Sequence, residues 1–142
     1  MNKIYSINHN SFIDQIVINK RQEIAKIINN ELSNDNFLDA LDIGSTNDMY
    51  NKSSNYLIKN LRNVKIYKSI SDQEINNSFF SKTLKKSITE VLLNDQIELM
   101  KSDLVISNAT IEHVGNFIKQ KKMIENILIL SKKYFIITTP NR

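Results

Sequence analysis

The chain contains no cysteine, which excludes a disulfide framework and any thiolate metal site. It has two histidines, His9 and His113, far apart in sequence, so a histidine-based metal cluster is not expected either. Glycine is almost as scarce, with two in 142 residues. After Gly44 the positions that would carry further glycines hold Thr46 and Met49, so the G-x-G-x-x-G fingerprint of a pyrophosphate cradle is missing. No apolar run approaches the roughly 20 residues of a membrane span. The first residues, MNKIYSINHNSF, lack the apolar core and small-residue cleavage site of a signal peptide. These absences set the expectation of a cytoplasmic protein without metal or membrane partner.

Charge is present but unpatterned. The net charge of +4 comes from lysines interleaved with acids, in pairs no longer than Lys85-Lys86, Lys121-Lys122 and Lys132-Lys133. No aromatic and basic residues alternate as in a stacking platform, so nucleic acid is not the expected partner. The balance bears on solubility and non-specific binding rather than on fold. Hydrophobic residues make up 41%, enough for one core, and the chain reads as a single domain over 1–142 with an N-terminal helical segment over 1–36.

Periodicity supplies the elements. Phe12, Ile16, Ile24, Ile27, Ile28 and Leu32 recur at helical spacing, predicting a helix over 12–32 capped by Ser11, with Asn19 as the place for a break. Phe37 to Gly44 is a short apolar strand ending in glycine. A short helix capped by Ser53 or Ser54 follows, and Val64 to Ile70 alternates with period two as a second strand. Glu74 to Phe80 reads as a weak helix. Thr83 to Ile88 reads as an edge strand guarded by Lys85 and Lys86. Glu90 to Met100 has no clear period. Asp103 to Ser107 is a buried strand, Asn116 starts a helix with Ile118, Ile124, Ile127, Leu128 and Leu130 turned inward and Lys132-Lys133 at its negative end, and Tyr134 to Thr138 is a last strand stopped by Pro140. Strands alternating with helices predict an α/β fold: a doubly wound, mainly parallel sheet of about five strands, helices on both faces, preceded by the N-terminal helix.

In such sheets chemistry sits at the carboxyl ends of the strands. Three strand ends carry polar groups: Asp42 with the loop Gly44-Ser45-Thr46, then Ser71-Asp72, then Asn108-Ala109 leading into Glu112-His113. Gly44 permits positive φ and close approach of a ligand to the backbone. Asp72 is equally suited to contacting a ribose and to starting the next helix. His113 could deprotonate an acceptor, since imidazole titrates near neutrality; a histidine beside glutamate at a helix start is more often structural.

Taken together, LDIGSTND (Leu41 to Asp48), SDLVISNATIEHVG (Ser102 to Gly115) and FIITTPNR (Phe135 to Arg142) resemble the class I S-adenosylmethionine-dependent methyltransferases, a family of Rossmann-like fold. The likeness covers about residues 20–142. It implies S-adenosylmethionine as cofactor and methyl transfer to an acceptor that the motifs do not name. It implies Gly44 under the methionine part, shaped by Asp42, Ser45 and Thr46; Asp72 or Ser71 at the ribose hydroxyls; Asn108 and Ala109 flanking the cofactor; and Glu112 and His113 toward the substrate side. Ser87 stands where relatives keep an acid for the adenine amino group, with Glu90 nearby.

The chain departs from the family pattern twice. Its first motif has one glycine where many relatives have two or three, and it ends after the fifth strand, where the family usually adds two more. The domain is therefore expected to be incomplete, with a second copy or a partner chain covering the open sheet edge. The alternative to an enzyme is a non-catalytic or partner-dependent module that keeps the fold; a dinucleotide-dependent oxidoreductase is disfavoured by the missing phosphate fingerprint.

Overall fold

The structure, a computed structural model, describes residues 7–36 and 38–140, with side chains from residue 12 onward. The expected cap Ser11 (its side chain), the expected first strand residue Phe37, and Asn141 and Arg142 lie outside the described residues. Helix α1 spans Ile7–Glu31, strand β1 Leu38–Ile43, helix α2 Tyr56–Lys59, β2 Val64–Ser71, β3 Lys82–Lys85, α3 Asn94–Met100 and β4 Ser102–Asn108. A single turn of 3-10 helix (Ile111–His113), α4 (Phe117–Leu130) and β5 (Ser131–Thr138) complete the order.

The five strands form one sheet in the order β3-β2-β1-β4-β5, and every pair is parallel. The fold is α/β and Rossmann-like. Parallel strands need crossovers, and the crossovers carry the helices to both faces. One face is covered by α1 and α2, whose Ala25, Ile28, Leu57 and Ile58, with Leu32 in the turn after α1, pack with Leu38, Ala40, Leu104 and Ile106 of the sheet. The other is covered by α3 and α4, whose Met100, Met123, Ile127 and Leu130 pack with Leu41, Ile43, Ile70 and Val105. Successive residues of β1 and β4 thus alternate between two apolar layers. That is why adjacent residues such as Ala40-Leu41 and Leu104-Val105-Ile106 are apolar, without a strict alternation of apolar and polar positions.

Register brings the strand ends level. Ile43 pairs with Ile70 on one side and with Ser107 on the other, and Asn108 pairs with Thr138. The next residues along these strands, Gly44, Ser71 and Asn108, therefore lie level at one edge. The order reverses between β1 and β4, where the chain crosses from β3 to the other side of β1, and a crevice opens at that switch point.

Several expectations are corrected. The N-terminal helix already includes Ile7, before Ser11, and runs without a break at Asn19. The short second helix is preceded by Asn55 in the left-handed conformation, not capped by Ser53 or Ser54. Residues 74–80 form no helix: Asn77 accepts from the Phe79 N–H at 3.2 Å, and Asn47 accepts from the Asn76 N–H at 2.8 Å. Local amide bonds of this kind compete with the helical ladder. The unreadable stretch before β4 contains α3, started by Gln96, whose side chain accepts from the Leu93 N–H at 3.1 Å.

On α4 the buried face is Met123, Asn126, Ile127 and Leu130, whereas Ile118, Ile124 and Leu128 are exposed. Asn126 decides this rotation, donating its amide to the carbonyls of Ile88 (2.6 Å) and Glu90 (2.8 Å). Lys132 and Lys133 belong to β5 rather than to the end of α4.

Candidate functional site at the carboxyl edge of the sheet

Two cavities open at the carboxyl edge, one on each side of a contact between Gly44 and Thr110. Gly44 has φ +87°, and a Cβ built on it would lie 2.7 Å from Thr110 Oγ1 and 3.0 Å from its Cγ2. Thr110 Oγ1 in turn donates to the Ile43 carbonyl at 3.2 Å. Only glycine fits this position: its backbone conformation is strained for any side chain, and the space is filled.

The first cavity, of about 280 Å³, is lined by Arg21, Asp42, Gly44, Thr46, Ser53–Asn55 and Asn108–Thr110. Its polar walls are fixed by bonds to the scaffold. Asp42 is buried and accepts from Ser45 Oγ at 2.5 Å. Burial raises its pKa to about 7, against the opposing effect of that hydrogen bond. Asn55, itself at φ 51°, clasps Thr46 from both sides, accepting from its N–H at 3.0 Å and donating to its carbonyl at 2.8 Å. The guanidinium of Arg21, on α1, donates to the Ser53 carbonyl, which ties the helix to the loop. Partial burial lowers its pKa, and guanidinium nonetheless stays charged at any physiological pH. Asn108 accepts from Thr138 Oγ1 at 2.6 Å, and the Ala109 N–H donates to the Thr138 carbonyl at 3.0 Å, so β5 pins the turn that follows β4.

The second cavity, of about 210 Å³, is lined by Gly44, Ile70–Asp72, Lys86–Thr89, Thr110, His113, Val114 and Lys119. Asp72 and His113 stand exposed on its rim. Ser71 is buried, and its hydroxyl donates to the Ser45 carbonyl at 2.8 Å, which joins the loop after β1 to the end of β2. Together the two cavities fall within the roughly 300–1,000 Å³ of small-molecule sites.

The residues singled out from sequence thus separate. Asp42, Gly44, Thr46, Asn108 and Ala109 share the first cavity; Gly44, Asp72 and His113 share the second. Ser45 lines neither and spends its hydroxyl on Asp42. Glu112 also lines neither. Both of its carboxylate oxygens are buried without a hydrogen-bond partner, and the imidazole Nε2 of His113 is 3.9 Å from one of them. Glu112 and His113 sit in the 3-10 turn, before α4 begins. Ser87 lines the second cavity, while Glu90 accepts from the Ser87 N–H at 3.2 Å and closes the turn there.

Sequence reasoning missed Arg21, Asn55 and Thr138. Arg21 had a signal: the chain uses three arginines against sixteen lysines, so an arginine on an otherwise lysine-bearing helix stands out. Asn55 had none, because asparagine is everywhere in this chain. Among the described residues no group of three or more His, Asp or Glu could hold a metal ion, and no helix is long and apolar enough to cross a membrane. Comparison of the chain with protein-family models, with curated proteins and with solved structures gives no match.

Proposed function

We propose that this chain binds S-adenosylmethionine across the Gly44–Thr110 contact and transfers its methyl group to an acceptor. One observation carries the reading: two adjoining cavities meet at Gly44, one holding a guanidinium and a carboxyl group and the other an acid and a hydroxyl at the end of β2, with Lys86 and Lys119 also on its wall. The first offers a guanidinium, Arg21, and a carboxyl group, Asp42, the pair that an α-amino acid zwitterion requires. The second offers Asp72 beside the buried Ser71, suited to ribose hydroxyls, with Ser87 and Thr89 beyond it. Gly44, bare of a side chain, lets Thr110 close against the backbone, and a ligand would pass over that contact, where both cavities reach Gly44.

When bound, the sulfonium supplies the activated methyl group, so the protein's task is alignment and exclusion of water. Arg21 and Asp42 would hold the amino acid end, and Asn108, fixed by Thr138, would line the wall beside it. The mechanism gives His113 no proton to move, because it stands exposed on the second cavity. Calorimetric titration with S-adenosylmethionine and separately with NAD tests the reading. Micromolar binding of the first alone supports it, and binding of neither by folded protein refutes it. Binding without turnover on any acceptor would leave the fold as a partner-dependent module.

A further inference from the structure

We propose that Glu112 supplies a buried negative charge for the sulfonium of S-adenosylmethionine, a role that rests on the cofactor reading above. This charge makes the site prefer the methylated cofactor to the thioether left after transfer. Of the buried polar atoms without a hydrogen-bond partner among the described residues, the charged ones are the two carboxylate oxygens of Glu112. Among those residues no lysine or arginine forms an ion pair with it, and the imidazole of His113, 3.9 Å away, lies mostly in water. Burying a carboxylate without a partner is costly, and folded chains keep few such groups.

The turn that carries Glu112 runs between the two cavities. Ala109 lines the first, Thr110 makes the contact with Gly44, and His113 and Val114 line the second. The His113 N–H donates to the Thr110 carbonyl at 2.9 Å, which holds Glu112 within one turn of that contact. Ile111 and Val114 pack into the core beneath α4, and the Gln120 amide donates to the Ile111 carbonyl at 3.3 Å. The carboxylate is thus fixed in place below the partition, although it lines neither cavity.

Charge accounting gives it a task. S-adenosylmethionine carries a carboxylate, an ammonium and a sulfonium. Arg21 and Asp42 meet the first two in the first cavity. The sulfonium joins the amino acid end to the ribose, so it lies over the Gly44–Thr110 contact. On the far side Asp72 is exposed, where water screens it, and Lys86 and Lys119 add positive charge. A carboxylate sealed in protein is screened far less and acts through its field without contact. In the transfer the acceptor's electron pair forms the new bond to carbon, the S–CH3 pair returns to sulfur, and the acceptor's proton leaves to solvent. Sulfur becomes neutral, and Glu112 no longer favours the ligand.

Calorimetry of the full chain with S-adenosylmethionine and with S-adenosylhomocysteine tests this role. Wild type should bind the first at least about tenfold more tightly. In Glu112→Gln the ratio should fall to about threefold or less, through weaker binding of S-adenosylmethionine alone. Arg21 and Asp42 face the end that both ligands share, so their contributions cancel in the ratio. Glu125→Gln removes an equal charge from an exposed pair with Lys122 on α4 and should leave the ratio unchanged. Urea unfolding without ligand gives a second reading: Glu112→Gln should be at least as stable as wild type, because an unpaired buried charge is gone. A wild-type ratio near one, a ratio unchanged in Glu112→Gln, or equal loss of both ligands overturns the role and leaves the cofactor reading intact. A Glu112→Gln chain that unfolds more easily than wild type overturns it too, by showing that the carboxylate serves the fold. Binding of neither ligand overturns the cofactor reading and this role with it.

Discussion

The two cavities beside Gly44 are built differently. In the first, most polar groups already have a scaffold partner: Asp42 has Ser45, Thr46 has Asn55, Arg21 has Ser53 and Asn108 has Thr138. In the second, Asp72 and His113 stand on an exposed rim. A carboxylate in water gains little from one more partner, whereas a buried one is strongly affected by it. The first cavity is therefore where substitutions should be felt, and the second should tolerate them.

The largest expected effect lies at the junction. Gly44→Val forces a β-branched residue to positive φ, costing about 1–3 kcal/mol in the backbone alone, and drives its Cβ into Thr110. Binding of S-adenosylmethionine should fall at least about 100-fold, read by calorimetry, and the melting temperature should drop. Thr110→Ala in the same chain relieves the side-chain contact and not the backbone, so it should restore only part of the stability.

Asp42 comes next, and its effect has a pH signature. Its carboxyl is raised from 3.8 to about 7 in the folded protein. The folded state thus holds a proton that the unfolded chain has released. The stability this group contributes is full below about pH 4 and is lost as pH rises to about 7. Asp42→Asn should remove that slope and make the protein more stable than wild type at pH 8, measured by urea unfolding across pH. Binding should respond in the opposite sense. An ammonium needs the ionised carboxylate, so wild-type affinity should rise about tenfold from pH 6 to pH 8, and the rise should vanish in Asp42→Asn.

Arg21→Gln removes the charge facing the first cavity and the tie to Ser53, and should weaken binding by about tenfold. In the second cavity, Asp72→Asn should cost less than about fivefold and His113→Gln less than about twofold. An equal loss at Asp72 and Asp42 would break the distinction between the cavities.

What could be read from sequence follows the same physical line. β1 and β4 were legible because they are buried on both faces, which leaves adjacent apolar residues, Ala40-Leu41 and Leu104-Val105-Ile106, in short runs that close on Gly44 and on Ser107-Asn108. The rotation of α4 was not legible. Its apolar residues go most of the way round, with Ile118, Ile124, Leu128 and Ile129 exposed, so periodicity could not choose a face. A polar residue, Asn126, chose it. In the site, Asp42, Gly44 and Asn108 were visible because they end strands. Arg21 and Thr138 were not, because they reach the crevice from α1 and β5, elements distant in sequence from the loops they hold.

The most direct measurement is calorimetric titration of the wild-type chain with S-adenosylmethionine across pH. The account predicts micromolar binding that tightens through the titration of Asp42, with none for NAD. Absence of binding in a folded sample, or binding that ignores pH between about 6 and 8, would contradict it.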